Sequence, residues 1–174
     1  METRQAQAVD WNALRQLRLR ALADAPDAFA STLEAEVAFP EEVWRQRADD
    51  GPASATFIAR EGGVDVGLVR VFAEPDVPGR MHLVSMWVDP GHRRRGVARA
   101  LVARAVRWAT ERRAREVSLW VADHNTAARR LYEQLGFRPT TERQPLPSDP
   151  ARSESRLRLP IVRSLETPGQ GQGC

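Results

Sequence analysis

A chain of 174 residues and 19.5 kDa has the length of one domain able to bury its own core without disulfides or a structural metal, and leaves little room for a second. With 42% hydrophobic residues and a mean hydropathy of −0.48, the composition suits neither wholesale disorder nor membrane spanning. The net charge is +3, and the pI of 10.2 overstates the basicity because all 26 basic residues are arginine, which does not titrate in the working range.

The opening METRQAQAVD has no apolar core of a secretory signal, and no window approaches the roughly 18 consecutive apolar residues of a membrane helix, so a cytoplasmic protein with no membrane partner is expected. Asp10 then stands where a helix cap belongs. Trp11, Leu14, Leu17, Arg18, Ala21 and Leu22 follow at helical spacing until Pro26. Residues 24–39 read as a loop, and a shorter helix opens at Pro40, helped by first-turn Glu41 and Glu42, and ends near Gly51. Residues 21–50 carry eight acids against Arg45 and Arg47, a block that invites a cation.

The period then changes to strands: Ala55–Arg60, a Gly62-Gly63 turn, Gly67–Ala73, a turn with Pro75 and Pro78, and Met81–Val88, an antiparallel meander. Asp89-Pro90-Gly91 stops the third strand. After an arginine-rich loop, Val97, Leu101, Ala105 and Trp108 form one stripe of a helix, with Arg99, Arg104 and Arg107 outside it. Residues 93–115 hold nine arginines against Glu111 and so invite an anion; with only Trp108 interleaved, they lack the stacking aromatics of a nucleic-acid surface, and no nucleic-acid partner is expected. Glu116–Ala122 alternates as a strand, Asn125 or Asp123 caps a helix over Thr126–Leu135, and Gly136 ends it. Leu157, Leu159 and Ile161 mark a last strand over 154–162, which Pro160 assigns to an edge. The domain is thus expected to span residues 1–163, mixed α/β, with a disordered tail over 164–174. The lone Cys174 has no intramolecular partner and His82, His92 and His124 are scattered, so neither a disulfide framework nor a metal site is expected.

Two segments carry chemistry. In SMWVDPGHRRRGVARALV, residues 85–102, a strand runs through an Arg/Gly turn straight into a helix whose first amides have no internal partners and whose dipole favours an anion. That is a seat for a pyrophosphate. Gly96 lets the backbone approach phosphates, Ala98 avoids a steric block, and Arg93, Arg94, Arg95 and Arg99 add charge. With no lysine in the chain and no GxGxxG, the phosphate loops of ATP-driven transfer and dinucleotide oxidoreduction do not fit. In VADHNTAARRLYEQLGF, residues 121–137, Asn125, Ala128 and Tyr132 fall along one face of the capped helix.

Arg93-Arg94-Arg95-Gly96-Val97-Ala98 resembles the [RQ]-x-x-G-x-[GA] acyl-CoA signature of the GNAT (Gcn-related N-acetyltransferase) superfamily, and Asn125-x-x-Ala128-x-x-Leu131-Tyr132-x-x-x-Gly136-Phe137 resembles its second motif. The resemblance covers most of residues 53–139 and extends to the LRLRALADAPDAFA opening. It implies a mostly antiparallel twisted sheet flanked by helices, and direct acetyl transfer from acetyl-CoA to an amine without a covalent acyl-enzyme. On this chain it implies that the backbone of Met86, Trp87 and Val88 pairs with the pantetheine arm, that amides of Arg94, Arg95, Gly96, Val97, Ala98 and Arg99 hold the pyrophosphate, and that Asn125 bonds the cofactor arm beside Ala128. The Val88 amide would face the thioester oxygen, and Tyr132 would act as general acid toward the CoA thiolate.

For the base, the position where many relatives place Glu is taken by His82, with Glu34, Glu36 and, as a holder of water, Ser85 as alternatives. Acceptor selection would fall to residues 21–50, with Trp44 lining the cleft or anchoring its helix. An aminoglycoside-like or other small amine, a peptide N-terminus or a protein lysine all remain open. So do a carrier-protein acyl donor, a silent CoA-binding sensor, and a homodimer.

Overall fold

In the computed structural model the described residues are 1–49 and 51–162, so the tail expected over 164–174 lies outside them. The chain runs β1 (Glu2–Gln5), α1 (Trp11–Asp24), α2 (Leu33–Val37), α3 (Glu41–Ala48), β2 (Ser54–Glu61), β3 (Val64–Ala73), β4 (Arg80–Val88), α4 (Val97–Glu111), β5 (Glu116–Ala122), α5 (Thr126–Gln134), β6 (Arg138–Leu146) and β7 (Asp149–Pro160). One sheet takes the order β1-β2-β3-β4-β5-β7-β6 and is antiparallel at every junction except β4–β5. The meander of β2, β3 and β4 is the one the turn residues specify.

Three elements depart from the sequence expectation. β1 is a polar tetrapeptide with no alternation signal, and it pairs with the outer edge of β2 from Glu2↔Arg60 to Gln5↔Phe57. Inside the segment read as loop, α2 forms where the Thr32 hydroxyl accepts from the Ala35 amide at 3.2 Å; five residues are too few for a helical period to show. The last strand is neither alone nor at an edge: β7 starts at Asp149 and lies between β5 and β6. Pro160 is tolerated because Ile161 donates to the Arg115 carbonyl at 2.8 Å, so strand alternation turns the proline nitrogen away from β5, beyond the last β6 pairing at Arg138↔Arg158. The true edge is β6, whose own Pro139 and Pro145 disguised it.

Both faces of the sheet are covered, by different helices. The expected stripe Val97, Leu101, Ala105 and Trp108 of α4 is buried against Phe57, Val71, Leu83 and Leu119. On the other face Leu14, Leu17, Ala21 and Leu22 of α1 pack on Ile58, Leu68 and Trp87. A fully buried Leu, Ile or Phe side chain is worth about 1.5–3 kcal/mol, so these two layers dominate the stability of the fold.

The feature that makes a site is a failure of pairing. β4 and β5 run parallel only through Arg80↔Glu116 to Leu83↔Leu119. Immediately beyond, β4 bulges: its register on β3 jumps between Arg70↔Val84 and Leu68↔Trp87, and Ser85 adopts a left-handed φ of 55°. The sheet therefore splits, leaving a wedge between the end of β4 and β5. Gly67 holds the bulged strand close, since a Cβ there would sit 2.9 Å from the Trp87 carbonyl oxygen and 3.1 Å from Leu101.

Candidate active site

At the mouth of the wedge the β4–α4 turn presents backbone donors. The first helical hydrogen bond of α4 runs from Ala100 to Gly96 at 3.0 Å, and among the described residues the amides of Arg94, Arg95, Gly96, Val97, Ala98 and Arg99 have no acceptor. Arg94 (φ 61°) and Gly96 (φ 85°) both take left-handed backbone, which curls successive N–H groups into a concavity for an anion. The side chains divide the work. Arg93 donates to the Val88 carbonyl at 2.9 Å and pairs with Asp24, so it braces the turn. Arg95 is exposed and 3.9 Å from Glu61, whereas Arg94 and Arg99 are exposed and form no ion pair among the described residues. Val97 is buried in the core and Ala98 half-buried against it.

The inner edge of the wedge follows from strand alternation. Asp89 donates to the Val66 carbonyl at 2.8 Å, which places Trp87 on the β3-facing side and leaves the backbone of Met86 and Val88 facing the opening. The Trp87 ring is buried under α1, and its indole N–H donates to Asp24 at 2.9 Å.

Behind this edge lies a cavity of about 560 Å³ between Val84–Met86 of β4 and Trp120–Ala122 of β5. Asn125, Ala128 and Tyr132 of α5 share its wall, as their spacing requires. The Asn125 side-chain oxygen caps α5 by accepting from the Ala128 amide at 3.1 Å. Tyr132 is buried and packs edge-on against Phe137 at 5.7 Å, and its hydroxyl has no hydrogen-bond partner among the described residues. Burial pushes its proton affinity well above that of a free phenol.

His82 also reaches the cavity wall, but in a poor state to take a proton. It shares a hydrogen bond with the Ser118 hydroxyl at 2.9 Å and lies 3.5 Å from Glu74. Burial, only partly offset by Glu74 and reinforced by Arg156 and Arg80, lowers its pKa to about 4. The ring is therefore neutral in the folded protein, while an unfolded histidine protonates near 6.5. Between about pH 6.5 and 4 the unfolded chain binds the extra proton, so stability is lost as the pH drops through that window. Urea unfolding of His82→Gln should accordingly lose about 3 kcal/mol less than the parent between pH 6.5 and pH 4; parallel curves for the two proteins would show that His82 is not buried as a neutral ring.

Glu34 is exposed and outside the cavity, whereas Glu36 lines it with none of its surface exposed. The Glu36 carboxylate is occupied, with Arg18 at 2.8 Å on one oxygen and Arg47 at 2.8 Å on the other. Burial alone would raise its pKa, but the Arg18 bonds and charge, Ser31 and Arg47 bring it below the ordinary value. Ser85 accepts from Arg18 at 3.2 Å, and Trp44, a residue of α3, is buried. Three of the block's eight acids are spent internally, Asp24 on Arg93, Glu36 on two arginines and Glu41 on Arg45.

What sequence reasoning missed comes from the β6–β7 hairpin. Gln144, Leu146, Ser148 and Glu154 all line the cavity. The Ser148 hydroxyl donates to the Asp27 carbonyl at 2.7 Å and ties this hairpin to the segment after α1 across the opening. Glu154, 8% exposed, accepts from Gln144 at 2.6 Å and has no arginine partner among the described residues. The Leu157, Leu159 and Ile161 alternation pointed to the strand but not to its start or its partner.

Comparison with known proteins agrees with this architecture. The sequence model of the Acetyltransferase (GNAT) family matches residues 11–137. The chain is 32% identical over 92 residues to the aminoglycoside N(6')-acetyltransferase type 1 of Salmonella typhimurium, covering 49% of this chain and 63% of that protein. It is 36% identical over 134 residues to the mycothiol acetyltransferase of Thermobispora bispora, covering 74% and 43%. The chain therefore spans less than two thirds of either relative's length. Among solved structures, a GCN5-related N-acetyltransferase from Kribbella flavida superposes with a TM-score of 0.74 at 24% identity, covering 92% of this chain and 97% of that one, a likeness of fold.

Proposed function

Because the chain belongs to the Acetyltransferase (GNAT) family, we propose that it transfers an acetyl group from acetyl-CoA directly to the amine of a small molecule or peptide. The observation that carries the reading is the run of six acceptor-free amides at Arg94–Arg99, set at the mouth of a wedge that leads inward to Tyr132. Those amides suit a diphosphate, and Arg94 and Arg99 are exposed to add charge. The Met86 and Val88 edge suits the amide-bearing arm, as an added strand suits an open edge, and the Asn125 carboxamide nitrogen is left to bond it while the oxygen caps α5.

When bound, acetyl-CoA supplies a thioester whose C–S bond breaks as the new C–N bond forms, releasing a thiolate with a conjugate acid near pKa 8.5. The Val88 amide then serves as the donor toward the carbonyl oxygen, where charge develops. Tyr132 keeps its proton throughout the working range and hydrogen-bonds to the sulfur as the thiolate departs. A phenol, and a buried one all the more, binds its proton more tightly than the thiol, so a proton passed to sulfur is regained at once from solvent, and the second proton of the attacking nitrogen leaves to the base. The ammonium of the acceptor must shed one proton first. Glu154 is the buried carboxylate of the wall that no arginine holds and is placed to take it, while His82, a neutral ring held on the Ser118 hydroxyl, serves the wall as a hydrogen-bonding group.

The experiment is calorimetry with CoA followed by thiol release from acetyl-CoA over a panel of amines. Binding of CoA and release that depends on an amine are expected. No affinity for CoA overturns the reading, binding without release over all acceptors indicates a sensor, and release only from a carrier-bound acyl group indicates a different donor.

A further inference from the structure

A second, smaller cavity of about 150 Å³ opens beside the main one, and Arg18, Arg47 and Ser85 line both. Its described lining includes the guanidiniums of Arg18, Arg47 and Arg70 and the hydroxyls of Thr56 and Ser85, of which Arg70 and Thr56 are engaged with other partners. Arg18 and Arg47 share the single carboxylate of Glu36 at 2.8 Å each, so this trio carries one surplus positive charge. Arg18 is spent, with Nε and Nη2 on Glu36 and Nη1 on Ser85. Arg47 is not: only its Nη1 donates to Glu36, leaving Nε and Nη2 without an acceptor among the described residues. Its guanidinium lies 4.7 Å from the Phe39 ring and 5.3 Å from the Trp44 ring, and its side chain is 38% exposed.

We propose that the acceptor is an amine that also carries a carboxylate, and that Arg47, backed by Arg18, seats that carboxylate in the side cavity while the amine reaches the wedge. The inference rests on the acetyl-transfer reading and narrows it. A planar guanidinium offering two adjacent N–H donors matches a carboxylate in a two-point pair. One surplus charge matches a monoanion, whereas a phosphate monoester carries nearly two negative charges at neutral pH. The cavity has room for a carboxylate and its adjoining methylene. It also reverses the first impression given by the acidic block: the Glu36 charge, which on sequence would attract a cation, is outnumbered by the arginines folded onto it.

The test uses straight-chain ω-amino acids of one to six methylenes, each beside its carboxamide and its phosphonate, read both by CoA release from acetyl-CoA and by calorimetric binding. At one or more chain lengths the carboxylate should exceed its carboxamide at least tenfold in kcat/KM and in affinity, and exceed the phosphonate as well. In Arg47→Gln, where Arg18 still covers Glu36, that preference should collapse to less than twofold. Carboxamides equal to acids at every length, phosphonates that win, or a preference that survives Arg47→Gln would each overturn the carboxylate seat. The wild-type comparison decides the matter even if the variant folds poorly. Release from carboxamides and simple amines without acid preference defeats the seat and keeps the transfer; acid-selective binding with no release from any amine defeats the transfer and keeps the seat.

Discussion

Tyr132→Phe should lower kcat by about 100-fold or more while the KM for acetyl-CoA stays within about twofold, a general-acid contribution being worth roughly 10²–10⁴. The substitution removes one oxygen and nothing else. The ring stays buried against Phe137, and the hydroxyl forms no hydrogen bond within the described protein, so the folded state loses no bond when it goes. Thermal stability should therefore hold or rise slightly, which separates a chemical defect from a folding one. The pH profile adds a second check. Because burial keeps the phenol protonated beyond its ordinary range, Tyr132 contributes no alkaline limb below about pH 10, and any limb seen there belongs to the acceptor or the base. A kcat equal to the parent's would take Tyr132 out of the reaction and leave it as an aromatic anchor for α5.

The parts of the site that were legible in the sequence are local ones. Arg93–Ala98 and Asn125–Tyr132 each lie within one turn and one helix, so their spacing alone places the strand-to-helix turn with its free amides and the shared face of α5. The meander was legible for the same reason, since Gly62-Gly63 and the Pro75–Gly79 turn set the hairpins between β-rich runs. The wedge was not. It depends on where a parallel pairing stops, Leu83↔Leu119, and on a bulge at Ser85 that no residue pattern announces. Nor was the far wall, because Pro139 and Pro145 suppress the strand signal of β6 although an edge tolerates them. Charge misled most: Glu36 counts as an acid in a composition window, and only the fold shows two arginines, one 18 residues before it and one 11 after, converging on it.

Gly96→Asp should raise the KM for acetyl-CoA, and the Kd for CoA, by about 30-fold or more with little change in kcat at saturation. The substitution touches little else. No heavy atom lies within 4 Å of a Cβ built at Gly96, so nothing clashes, and the remaining cost is the left-handed φ of 85°, which aspartate tolerates better than most residues. A carboxylate at a helix N-terminus returns about 0.3–1 kcal/mol through the dipole, so the melting temperature should move by only a few degrees. The effect on an anion is opposite in sign. The new carboxylate competes for the same amides and places a negative charge beside a diphosphate, at an effective dielectric near 20 worth about 4 kcal/mol per close charge pair before screening. A net loss of about 2 kcal/mol, or 30-fold, is a modest fraction of that. Gly96→Ala supplies the control, since it imposes at least as much backbone strain without the charge and should stay within about fivefold of the parent. The gap between the two variants should narrow as salt rises from 50 to 500 mM or so, because the charged contribution is screened and the conformational one is not. If Gly96→Asp binds CoA as tightly as Gly96→Ala at low salt, the diphosphate does not rest on the α4 amides, and the six free N–H groups at Arg94–Arg99 serve some other anion.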